Sequence, residues 1–66
     1  MKLNKPLNLQ STIVINGKSY LVEIIHYYIG LLQGVRKVVV KPQNNIGKCL
    51  SFVVWQNNEI NRIIEI

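Results

Sequence analysis

The sequence predicts a mainly β domain of five short strands, and three observations carry that prediction. First, the 66 residues include 10 Ile and 8 Val but no Ala. Side chains that are stiff at χ1 and fit a pleated surface thus stand in place of the best helix former. Second, Asn16-Gly17 sits between the alternating segments "STIVI" and "KSYLVEI". This pair is the strongest short-range hairpin signal, because a type I′ turn needs positive φ at both central residues. Third, turn-forming clusters recur at 16–17, 30–34, 42–47 and 56–59, leaving strand-length segments between them.

Residues 1–9 read as a short tail or an edge strand of a single domain spanning 1–66. In the hairpin that follows, pairing Ile15 with Lys18 places Ile13, Ile15, Tyr20, Val22 and Ile24 on one face. A helix over about 19–33 competes for the same stretch. Ser19, Glu23, His26, Gly30 and Gln33 fall at helical spacing, with Gly34 placed as a C-terminal cap. Against it stand the interior Gly30 and the density of Tyr, Val and Ile. Beyond it, "VRKVVVK" from Val35 to Lys41 reads as a strand closed by Pro42, which has no amide hydrogen to extend a ladder. "PQNNIG" is a turn, "KCLSFVVW" from Lys48 to Trp55 the next strand, and "QNNE" the turn into "INRIIEI". The last segment also carries Ile60, Ile63 and Ile64 at helical spacing, so a short terminal helix competes with the strand there.

Five strands of this length and spacing, with a closing strand after a tight turn, resemble a small SH3-like or Sm-like barrel, or an open meander of the same order. The resemblance is one of architecture and transfers no functional residues. The helical alternative gives an α+β fold, a strand and a helix followed by a three-stranded antiparallel sheet.

A chain this short buries only about 60% of the surface its unfolded form exposes, so its stability is marginal and a homodimer or small homo-oligomer is expected. Cys49 is the only cysteine, which excludes an intrachain disulfide and fits a reducing compartment such as the cytoplasm. The start "MKLNKPLNLQ" alternates apolar and polar residues, unlike a signal peptide. The longest apolar run, Tyr27 to Leu32, is far short of the roughly 20 residues of a membrane-spanning helix. No membrane association is expected.

Several chemistries are disfavoured by residue supply. One Cys and one His cannot build a zinc site of three or four protein ligands, so no metal or other cofactor is expected. The three acids, Glu23, Glu59 and Glu65, are too dispersed for paired acid/base work. Cys49 with His26 could form a nucleophile and base only if the fold brought them together, and the residues read more simply as a small strand residue and an amphipathic position. Gly30, Gly34 and Gly47 lack the context of a phosphate-binding loop. The chain is not expected to be an enzyme.

The charge map points elsewhere. The net charge is +5, and no acid occurs between Ile24 and Asn58, where Arg36, Lys37, Lys41 and Lys48 lie. Leu50, Phe52 and Val54 form the uniformly apolar face of their strand, leaving Cys49, Ser51, Val53 and Trp55 on the other. Lys37 and Lys41 share a face with Val35 and Val39, read as outward. Cations beside a solvated ring suit nucleic acid, since cations neutralise phosphates and rings stack on bases. The expected function is a small accessory or regulatory module that binds DNA or RNA through Arg36, Lys37, Lys41, Lys48 and Trp55. The alternative is a protein-binding or inhibitory module acting through an apolar sheet face formed by Val35, Val39, Val53 and Trp55, since exposed strips of that kind mark interfaces.

Overall fold

The computed structural model describes residues 2–28, 30 and 33–66. Five antiparallel strands occupy them: β1 Thr12–Ile15, β2 Lys18–Tyr27, β3 Arg36–Pro42, β4 Leu50–Val54 and β5 Ile60–Glu65. Each pairs with its neighbour in chain order, and the meander curls into a half-barrel. The helix over 19–33 is overturned, because residues 18–27 are strand. The terminal helix is overturned likewise, since Ile60–Glu65 pairs with β4. Residues 29, 31 and 32, in or next to the expected 30–34 turn, lie outside the described residues.

The first hairpin forms as its turn chemistry requires. Asn16 and Gly17 have φ of 51° and 79°, and Ile15 pairs with Lys18. Ile15, Tyr20 and Val22 are buried on the concave face as expected, but Ile24 is not. The register shifts between Val22 and Ile24, so that Val22 pairs with Val40 and Ile24 with Val39, leaving Glu23 as an extra residue. A bulge of this kind turns the rest of the strand over. Ile25 therefore packs against the core, and Ile24 is 55% exposed on the convex face.

A second register shift lies opposite Phe52, where Ser51 pairs with Ile64 but Val53 pairs with Asn61. The additional residue is on β5, at Arg62, whose φ of 57° is left-handed and whose amide bonds to the Asn61 side chain. Ile64 is turned outward by it and is 56% exposed.

The core is the concave face. Val38 and Val40 of β3, Leu50, Phe52 and Val54 of β4, and Ile60 of β5 close over Ile15, Tyr20 and Val22. The N-terminal segment completes it: Lys2 bridges to Glu59, the Leu3 amide donates to the Asn58 carbonyl at 2.9 Å, and Leu7 is buried in the cluster. Burying these branched side chains is the main driving force for folding, at about 1.5–3 kcal/mol for each fully buried one. Among the described residues, no helix is long and apolar enough to cross a membrane.

Candidate nucleic-acid interface

Strand pairing fixes the rows of side chains on the convex face. His26 lies opposite Lys37, Lys37 opposite Val53, and Val53 opposite Asn61. One row further toward the same end, the Tyr28 amide bonds to the Val35 carbonyl and the Trp55 amide to the Glu59 carbonyl. Continuing the β3–β4 register from Arg36 and Val54 sets Val35 beside Trp55. Lys37 is therefore bordered by His26 in its own row and by Tyr28 and Trp55 in the next. The His26 and Tyr28 rings meet edge to face at 5.5 Å, as two side chains two positions apart on one strand face can. With strands about 4.8 Å apart, Tyr28 and Trp55 flank β3 with a separation of about 10 Å between their backbones.

Trp55 is 37% exposed, and its surroundings hold it in place. The Arg36 guanidinium donates through Nη2 to the Trp55 carbonyl at 3.2 Å and to Asn58 Oδ1 at 3.1 Å. Asn58, with φ of 66°, donates its amide to the Trp55 carbonyl at 2.8 Å and closes the turn into β5. Gln56 reaches across to donate to the Gln33 carbonyl, and its Cγ lies 3.1 Å from where a Cβ would stand on Gly34. Val35 shares the outward parity of Lys37 and Val39, yet it is only 3% exposed. It belongs to the floor of this end and not to an open apolar strip.

The five residues singled out in the sequence are thus not one patch. Lys37 and Trp55 come together. Arg36 points to the opposite side of β3 from Lys37 and is engaged with the turn that carries Trp55. Lys41 shares the face of Lys37 but lies four residues away, about 13 Å along the strand, with its Nζ 4.0 Å from Glu23 Oε2. Lys48 is exposed in the β3–β4 loop, beyond Lys41. His26 and Tyr28 join the site, neither of them among the five residues expected to form it. The bulge at Glu23 brings them there, since unbroken alternation from Val22 would have turned both inward.

The fold does not bring Cys49 and His26 together. Cys49 lies at the Lys41 end of the sheet and His26 at the Lys37 end, with β3 between them, about 16 Å apart by strand spacing and rise. Among the described residues, no group of three or more His, Cys, Asp or Glu is placed to hold a metal ion.

The middle of the convex face is apolar. Ile24, Val39, Ser51 and Ile64 form one row across four strands, and Leu21 and Val53 border it. Ser51 is only 4% exposed, sunk between its larger neighbours. No family model, curated protein or solved structure matches the chain.

Proposed function

We propose that the chain is a small, non-catalytic accessory or regulatory module that binds single-stranded nucleic acid on the aromatic end of its convex sheet face, in a reducing compartment such as the cytoplasm. The observation that carries this reading is the placing of Lys37 among His26, Tyr28 and Trp55. A cation beside spaced rings suits a single strand, whose phosphates pair with the ammonium while its unstacked bases lie on the rings. Arg36 acts as a positioning residue, holding the Trp55 backbone. The net charge of +5 adds a long-range attraction that salt screens.

Trp55 is the sole tryptophan, so its fluorescence reports the site directly. Titration with a single-stranded oligonucleotide at low salt should quench it, with an affinity that falls linearly in log–log form as salt is raised. Unquenched fluorescence and no retardation of labelled single strands would remove this reading.

A second reading rests on a different observation, the apolar row with Ile24 and Ile64 each more than half exposed. It makes the convex face a protein-docking surface, whose binding holds or tightens with added salt. The two readings separate on the sign of the salt response.

A further inference from the structure

We propose that two copies of this chain associate through the second half of β5, edge to edge and antiparallel, about a two-fold axis at Ile64. The Ile66 amide donates to the Cys49 carbonyl. The alternation of an antiparallel ladder then turns the backbone groups of Ile64 and Ile66 toward β4 and those of Ile63 and Glu65 away from the sheet. An edge of this kind is a template for another strand unless a Lys, a Pro, a bulge or a covering segment blocks it. In β5 the bulge at Arg62 and the Lys2 bridge to Glu59 guard only the first half. From Ile63 to Ile66 the strand itself carries no Lys, Pro or bulge, and Ile63, Ile64 and Ile66 are all exposed. Among the described residues, the hairpin residues Ile15, Asn16, Lys18 and Tyr20 share an open groove with Ile63, Ile64 and Glu65.

Three features point to a second copy as the occupant. The first is charge. Between Glu59 and Ile66, Glu59, Arg62 and Glu65 sum to −1, against +5 for the whole chain. Lys18, which borders the same groove as Ile63, Ile64 and Glu65, brings the local sum to zero, so this edge carries less of the positive charge than the rest of the chain. The opposite edge lies beside the N-terminal segment, where Lys2, Lys5, Thr12 and Val14 border one groove.

The second feature is register. A two-fold axis perpendicular to the sheet pairs residues of like parity. With Ile64 on the axis, Ile63 faces Glu65 of the other copy through its outward backbone groups. Neither Glu65 faces its own counterpart, and each Arg62 lies one position along the strand from the other Glu65. On the convex face, Ile64 meets Ile64, which joins the two apolar rows of Ile24, Val39, Ser51 and Ile64 across eight strands. The third feature is surface. The chain exposes 4831 Å², about 500 Å² more than the roughly 4,300 Å² expected for a closed monomer of 7.6 kDa.

Sedimentation equilibrium over rising concentration should show a mass approaching twice 7.6 kDa. Ile64→Lys sets two ammonium groups against each other on the axis and removes two apolar contacts. It should weaken dimerisation on the order of 100-fold with an unchanged circular dichroism spectrum. In a Cys49→Ser background, Ile64→Cys should oxidise to an interchain disulfide, since residues directly opposite in a non-hydrogen-bonded pair lie about 4.5 Å apart at Cα. Val14→Cys, exposed on the other edge, should not. A monomer at millimolar concentration, a dimer indifferent to Ile64→Lys, or equal cross-linking at both positions would overturn the proposal. Should Ile64→Lys fail to fold, the two cysteine variants decide. Lys37→Gln, which tests nucleic-acid binding, should leave the dimer intact, so the two proposals fail separately.

Discussion

Replacing Lys37 with Gln removes one positive charge from the aromatic end of the sheet and little else, because the side chain is exposed on the convex face. Its effect on stability should stay within about 0.5 kcal/mol. Its effect on binding follows from counterion release. One phosphate contact to a single strand contributes about 0.7 to the slope of log affinity against log salt, so its loss lowers affinity about 5-fold at 0.1 M salt and flattens the slope by that amount. Trp55→Ala should act on the other coordinate. A stacked ring contributes about 1–3 kcal/mol, so affinity should fall about 5-fold to 150-fold with the slope nearly unchanged. Because that variant loses the fluorophore, both are measured by retardation or anisotropy of a labelled oligonucleotide, with the fold checked by circular dichroism. Lys48→Gln is the control, exposed in the loop at the far end of the sheet. If Lys37→Gln and Lys48→Gln reduce affinity and slope equally, binding follows net charge alone and the assignment of the site is refuted.

Two further outcomes test the fold that positions this site. Gly17→Ala should cost about 1–2 kcal/mol in urea denaturation from the backbone alone, because φ is +79° and nothing lies within 4 Å of an added Cβ. Phe52→Ala should cost about 3–5 kcal/mol, since the ring is fully buried at the centre of the core. A domain of this size has only about 3–10 kcal/mol in total, so its thermal transition should fall steeply or vanish.

The strands and their turns were legible because their signals are local. Asn16-Gly17 specifies its turn by the φ values it tolerates, and Leu50, Phe52 and Val54 mark the buried side of β4 by simple alternation. What alternation cannot carry is a change of phase. The extra residues at Glu23 and Arg62 have ordinary side chains, and nothing in "VEII" or "NRII" announces that the ladder slips there. Yet those two slips turn Ile24 and Ile64 outward, and the first also sets His26 and Tyr28 on the face of Lys37. The charge cluster is dispersed by the same kind of effect. Arg36, Lys37, Lys41 and Lys48 are close in sequence, but parity sends Arg36 to the other side of its strand, rise separates Lys41, and Glu23 approaches it.

The convex sites and the β5 edge, taken together, imply a dependence on ligand length. In the antiparallel dimer the axis at Ile64 is perpendicular to the sheet, so both aromatic ends lie on one convex surface, on opposite sides of the axis. Lys37 is two strands in from β5 and one row along from Ile64, which places it about 14 Å from the axis by strand spacing and rise, and about 28 Å from its counterpart. A stacked single strand rising about 3.4 Å per residue covers that span in about eight or nine nucleotides. Shorter oligonucleotides can occupy only one end at a time, whereas longer ones engage both, making the second contact intramolecular at a high effective concentration. Affinity should therefore rise gently up to about nine nucleotides and then by one to two orders of magnitude over the next several. The step should be absent in Ile64→Lys, while the affinity for short oligonucleotides rises by no more than about 5-fold, the contribution of one added phosphate contact. A smooth rise with length, identical in the two proteins, would mean that the sites act singly and that dimerisation, where it occurs, is unconnected with binding.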